Sequence, residues 1–218
     1  MYSSEKELFE LSKIRANVLE CIDWQKDMKV LILDDIADVL SKYISERVQS
    51  VSNMRNMLLD DMYDVIVSIA PNSMSLQDII DYGEEKLNRD GKVIYACDNR
   101  LGLKYMAGCQ RRFQDGFFAG IEGVQQERMY TKKELKAILD NNKGWNMQMY
   151  YPYPDQYYTM QLFSDEYLPS LGELNNNNLV SDKERMLLFQ EDKGFDTLLR
   201  EGLFDEFSNA FLVVLSRV

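Results

Sequence analysis

The sequence predicts an α/β protein built on a doubly wound sheet. Three observations carry that expectation. Short apolar runs at 29–33, 63–69 and 92–97 have the length and continuous hydrophobicity of strands buried on both faces. Segments with helical apolar spacing separate them. A strand, a helix and a tight glycine turn leading into the next strand describe a parallel crossover.

The elements follow in order. Ser3 or Ser4 can cap a first helix running to about Cys21, with Glu7 three residues after Ser4 as a capping box. The strand 29–33 leads through Asp34 and Asp35 into a helix over 36–48, whose Ile36, Val39, Leu40, Tyr43 and Ile44 face inward. Residues 50–56 read as a polar link. The strand 63–69 ends at Pro71-Asn72, which break the chain. A helix over 75–87, a turn at Arg89-Asp90-Gly91 and the strand 92–97 come next. A glycine-rich loop over 99–123 precedes a helix over 132–141, which Thr131 caps with Glu134 in the capping-box position. Gly144 and Trp145 open a strand through Tyr151, a long insertion spans 152–209, and the apolar run 210–215 is the last strand. These elements make one domain: an N-terminal helix (1–28), a core (29–151), the insertion (152–209) and the last strand (210–218).

Composition limits function. The chain has 218 residues, 45% of them hydrophobic, enough for one sizeable core. Its formal net charge of −11 repels phosphate backbones and anionic lipid, which argues against nucleic-acid and membrane-surface binding. Between 165 and 206, 11 acids face 4 bases, so the charge concentrates in the insertion. No apolar run approaches the roughly 20 residues of a membrane span, and no signal peptide precedes the first helix, so a cytoplasmic location is expected. Cys21, Cys97 and Cys109, odd in number and widely spaced, read as free thiols, and without a CxxC a zinc site is not expected. The chain has no histidine, which excludes Ser-His-Asp and Cys-His mechanisms; proton transfer would fall to Asp, Glu, Tyr, Lys or Cys.

Several unusual words occur in order: NRLGLKYMAG at 99–108, GIEG at 120–123, YYPYPD at 150–155, SDEYLP at 164–169, GELN at 172–175 and FSNAFLVVL at 207–215. Together they resemble a family of bacterial class I S-adenosylmethionine-dependent methyltransferase-like proteins, usually found with glycosyltransferases of cell-surface polysaccharide synthesis. The likeness runs from about residue 12 to the C-terminus. It implies a reduced Rossmann-like sheet with helices on both faces and a long insertion before the last strand. Where the family's first strand and turn resemble VLEIGAGCGAIT, this chain reads VLILDDIADVLS. The strand acid becomes Ile32, and the three glycine positions become Asp34, Ile36 and Asp38. Side chains then occupy the space where the cofactor approaches the backbone, so no cofactor is expected; S-adenosylmethionine is implied only if the protein is active. The family also has about 40 residues between its first helix and the next matching strand, including a strand ending in a ribose-binding acid. Residues 48–62 are too short for that, so one βαβ layer is expected to be missing and the first strand's outer edge to be bare or covered, with a dimer or partner contact along 29–33 or the 50–56 link.

The candidate residues carry alternatives. Asp34-Asp35 reads as a helix N-cap pair or, more sharply, as carboxylates for a metal, although a metal needs a wider ligand set. Asn99 and Arg100 lie just past a strand's C-terminal edge, where open α/β sheets bind ligands. The glycines at 102, 108, 116, 120 and 123 suit turns, because no GxGxxG spacing occurs. Residues 145–167 hold 8 of the 25 aromatics. This segment reads as a lid over the sheet edge, a tyrosine-rich protein interface or a sugar site. Tyr151, Tyr153 and Asp155 are expected to line a cleft with Asn99 and Arg100, and Asp165 and Glu166 to add carboxylates for substrate hydroxyls or a partner. A nucleotide sugar is a further ligand, disfavoured by the acidic turn and by the lack of a basic phosphate clamp.

Overall fold

The computed structural model describes residues 12–34, 38–69, 74–110, 117–118, 120–122, 128–174 and 187–218. The strands are β1(Lys29–Asp34), β2(Ser50–Asn53), β3(Tyr63–Ile69), β4(Leu87–Asp98), β5(Trp145–Tyr153), β6(Gln161–Ser164) and β7(Ala210–Arg217). The helices are a 3₁₀ helix (Lys13–Leu19), α1(Val39–Ser45), α2(Leu76–Lys86), α3(Leu103–Met106), α4(Lys132–Asn141), α5(Glu191–Arg200) and α6(Phe204–Phe207). All seven strands join one sheet in the order β2-β1-β3-β4-β7-β5-β6. The first four run parallel, while β7 is antiparallel to β4 and to β5, and β6 is antiparallel to β5. This is a mixed Rossmann-like α/β sheet. Because β7 reverses twice, β4 and β5 end on the same edge, and the insertion starts beside the end of β4.

Alternate residues of the buried strands point to opposite faces. Leu31, Ile66, Val93, Tyr95 and Val213 pack under α2, α4, α5 and α6 through Ile79, Ile80, Leu135, Phe195 and Phe204. Val30, Ile32, Val65, Val67, Ile94 and Leu212 pack under the 3₁₀ helix and α1 through Val18, Leu19, Leu40 and Ile44. Both faces of β3 and β4 are therefore covered, which is why those runs are continuously apolar.

Several boundaries depart from the sequence expectations. Ser12 caps the first described helix by accepting the Ile14 N–H, and the helix is 3₁₀; Ser3, Ser4 and Glu7 lie outside the described residues. The α1 helix starts at Val39 with Asp38 as its N-cap, not with Asp34 or Asp35. The link at 50–56 contains β2, paired in parallel with β1 from Lys29↔Ser50 to Ile32↔Asn53. The first strand's outer edge is thus covered by β2, and residues 48–62, read as too short for a βαβ unit and as a polar link over 50–56, hold this one short strand. The Arg89-Asp90-Gly91 turn is absorbed into β4. The β3 register jumps from Leu87 to Lys92, so 88–91 bulge out of the ladder. Gly91 makes the bulge compact, since a Cβ there would lie 2.9 Å from the Asn88 carbonyl oxygen. The capping box of α4 (Thr131 with Glu134) forms as expected, and α2 carries a second one (Ser75 with Asp78) that the sequence reading did not name.

Candidate functional site

The carboxyl edge of the sheet has two halves. One lies above β1 to β3, where the resemblance places the cofactor. Asp34 ends β1 and its carboxylate accepts the Ser68 hydroxyl at 3.0 Å, across to β3. The N-cap position of α1 is taken by Asp38. Asp38 occupies the last family glycine position with φ 56°, in the left-handed region, and its side chain makes no cap hydrogen bond. Asp tolerates that conformation better than most residues. Ile36 and Asp35 lie outside the described residues. At the end of β2, Asn53 accepts the Arg55 N–H at 2.9 Å with its side-chain oxygen. A cofactor carboxylate at the β1 turn would meet carboxylates. The residues present do not fit S-adenosylmethionine as the glycine turn does.

The other half lies above β4, β7 and β5, and there the unusual words converge. Asn99 is fully buried. Its amide donates to the carbonyls of Glu206 (2.9 Å) and Ser208 (2.7 Å), and its side-chain oxygen accepts the Leu101 N–H. Asn209 mirrors it, accepting the Lys104 N–H at 2.8 Å and donating to the Pro154 carbonyl at 3.0 Å. Gly102 lets these backbones meet, since a Cβ there would lie 3.0 Å from the Cα of Asn209. The Lys104 side chain, 0% exposed, reaches Asp98 at 2.8 Å and Asp155 at 3.5 Å. Asp155 is also fully buried, and one of its oxygens accepts the N–H groups of Tyr157 (2.9 Å) and Tyr158 (3.0 Å). Burial raises the Asp155 pKa, against the lowering pull of Lys104.

A second buried lysine ties down the insertion. Lys132 opens α4, and its ammonium donates to Tyr151 (2.7 Å), Asp165 (2.9 Å) and Asp205 (2.5 Å). The Tyr151 hydroxyl donates in turn to Asp165. Burial works against the Lys132 charge, but its bonds to Asp165, Asp205 and Tyr151 win and its pKa rises. Burial raises the Tyr151 pKa, and the bond to Asp165 raises it further. For Asp165, desolvation is outweighed by the Lys132 and Tyr151 bonds, and its pKa falls. The lysine therefore stays charged and the phenol protonated at neutral pH, so neither serves as a general base. Burial also pushes the Cys21 thiol up to about 11 and raises Cys97 well above its ordinary value, so neither is an activated nucleophile.

The sequence-predicted residues thus gather at the expected edge, but as packing rather than as the lining of an opening. Tyr151 meets Phe204 and Phe211 edge-on, and Tyr153 meets Phe195 edge-on, with both tyrosines buried. Tyr153, Tyr151, Asp155 and Asn99 fill the space in which a cleft was expected, because α5 and α6 fold back over the end of β5. Arg100 is turned outward into an ion pair with Glu134 at the start of α4. Asp165 stays half exposed while held by Lys132, and Glu166 is exposed. Sequence reasoning missed Lys104 and Lys132. A lone cation inside the apolar and glycine word LGLKYMAG was the available signal for the first. A lysine in the first turn of a helix gave none for the second.

Among the described residues no three His, Cys, Asp or Glu side chains converge as metal ligands, and no helix is long and apolar enough to cross a membrane. A cleft of about 560 Å³ opens between the 3₁₀ helix and the β5–β6 hairpin. Among the described residues its lining includes Asn17, Glu20, Tyr150, Gln161 and Ser164 and no Lys or Arg.

No protein-family model matches the chain, and no curated protein matches it in sequence. Solved structures do resemble it. One is a SAM-dependent methyltransferase from Archaeoglobus fulgidus, 12% identical, with 100% of each chain covered and a TM-score of 0.48. Another is a SAM-dependent methyltransferase from Geobacter sulfurreducens in complex with S-adenosyl-L-homocysteine, 11% identical, with 99% of this chain and 97% of that one covered and a TM-score of 0.43. Likeness at this distance says nothing about chemistry beyond the strand order already described.

Proposed function

We propose that the protein is a methyltransferase-like domain that has lost its cofactor site. In this reading it acts in the cytoplasm as a non-catalytic partner or regulator in cell-surface polysaccharide synthesis. The observation that carries the proposal is the β1 turn, where Asp34 and Asp38 stand in place of glycines and the Asp34 carboxylate is locked onto Ser68. The setting in polysaccharide synthesis rests on the family resemblance of the words from Asn99 onward. The buried words then serve to keep the sheet edge closed and the insertion in place. Calorimetric titration with S-adenosylmethionine and S-adenosylhomocysteine tests it. Either ligand should bind more weakly than about 1 mM, and a micromolar dissociation constant would overturn the proposal.

One observation favours a second reading. Asp38 keeps the left-handed backbone that glycine gives such a turn. The backbone path toward a cofactor is thus retained, and an active methyltransferase on a sugar or small metabolite would need the pocket rebuilt around Asp38. Methyl transfer depends mainly on positioning donor and acceptor, so the lack of histidine does not exclude it.

A further inference from the structure

The 3₁₀ helix leaves a gap along one face of the β5–β6 hairpin. Its Val18 and Leu19 pack with Val30, Val65 and Leu212, toward the middle of the sheet. It reaches the hairpin through the Asn17 amide, which donates to the Thr159 carbonyl at 2.9 Å. On the hairpin's opposite face Tyr151 and Phe163 are buried, while Tyr150 and Leu162 on this face are only partly buried. The gap is the cleft of about 560 Å³, a size that suits a small molecule. Its polar groups lean toward accepting. The Asn17 N–H is engaged by Thr159, and the Thr159 hydroxyl donates to the Asp155 carbonyl at 3.0 Å. The Asn17 side-chain oxygen, the Gln161 side-chain oxygen and the Glu20 carboxylate remain as acceptors on the walls. Arg47 lies over the Tyr43 ring and pairs with Glu46, not with Glu20. A second carboxylate stands close by, because the Glu166 N–H donates to the hydroxyl of Ser164, which lines the cleft opposite Tyr150. Burial raises the Tyr150 pKa, and the Cys21 thiol and the Glu166 carboxylate add to the rise.

We propose that this cleft binds a small organic ammonium ion, a primary amine on a short alkyl stem. An ammonium brings three donors and no acceptor, which complements walls that offer a carboxylate and amide oxygens. The stem lies against Met160 and Leu162. An anion is repelled by Glu20 and Glu166 in a molecule of net charge −11, and the same field draws a cation in. Neither Asp34 nor Asp38 lines the cleft, so the proposal holds whether or not S-adenosylmethionine binds at the β1 turn.

The probe is n-butylammonium, titrated into the full chain and followed by backbone amide shifts in NMR. Butanol and butyrate carry a matching stem with no charge and with the opposite charge. The ammonium should bind with a dissociation constant of about 1–10 mM, in keeping with its few non-hydrogen atoms, and should shift the amides of Asn17, Glu20 and Gln161. Butanol should bind at least about fivefold more weakly, and butyrate should not bind. Added salt should weaken the ammonium. Glu20→Gln keeps the shape of an exposed side chain and should weaken it about threefold. Glu201→Gln, equally exposed at the end of α5 on the other face of the sheet, should leave it unchanged. Equal binding of butanol or of D-glucose would overturn the proposal, as would shifts confined to residues outside the cleft or equal losses in the two variants. If Glu20→Gln alters folding, the matched probes on the parent still decide. Cofactor titration is separate: micromolar S-adenosylmethionine binding sinks the non-catalytic reading and leaves this site standing.

Discussion

The two halves of the carboxyl edge handle charge in opposite ways. Above β4, β7 and β5, Lys104 is buried with carboxylates on two sides, and Asn99 and Asn209 satisfy the carbonyls that the returning insertion brings in. Above β1, Asp34 ends the strand with its carboxylate accepting the Ser68 hydroxyl, and Asp38 is the N-cap of α1 in a left-handed conformation. The first half is a closed polar core whose parts depend on each other. The second is a turn in which acids stand at two of the positions where the resembling family has glycine. Buried charges are tolerated where partners surround them.

The comparison breaks first at Lys104. Lys104→Ala strands two buried or half-buried carboxylates, and loss of one partner of a buried pair costs about 3–5 kcal/mol. Urea denaturation should show a midpoint shift of that size, and a loss under about 1 kcal/mol would mean the closed half does not depend on its charges.

A smaller effect sharpens the electrostatics. The folded-state pKa of Asp155 is raised above 3.8, so its protonated form is favoured on folding. Its contribution is therefore present below 3.8 and is lost as pH rises through the raised value. Asp155→Asn cannot ionise but keeps an oxygen for the Tyr157 and Tyr158 N–H groups. The stability of the variant should fall less steeply than that of the parent as pH rises above 3.8, measured as urea midpoints across the acid range. Parallel curves for the two proteins would show that Asp155 titrates alike folded and unfolded.

The smallest effect belongs to the open half. Asp38→Gly relieves a left-handed φ of 56°, and it should change stability by less than about 1 kcal/mol, in the stabilising direction. It should not restore S-adenosylmethionine binding alone, because Asp34 remains on Ser68. Calorimetry on this variant that returned micromolar affinity would mean the two acids are not equally responsible for closing the turn.

The sequence by itself determined the elements whose signals are local. Apolar runs placed β1, β3 and β7, and the capping box at Thr131 placed α4, because a cap and its partner lie three residues apart. The glycine-free turn was equally legible, being contiguous. What only the tertiary structure decided is what comes together over long separations. The short β2 was hidden because three polar residues and one valine become a strand only beside β1. Tyr151, Tyr153 and Asp155 looked like a ligand surface because tyrosines and acids do so in isolation. They are core because Lys132, Phe195 and Lys104, distant in the chain, meet Tyr151, Tyr153 and Asp155 in turn. A buried polar group is stable only with its partner, and a partner fifty residues away leaves no mark in the local pattern.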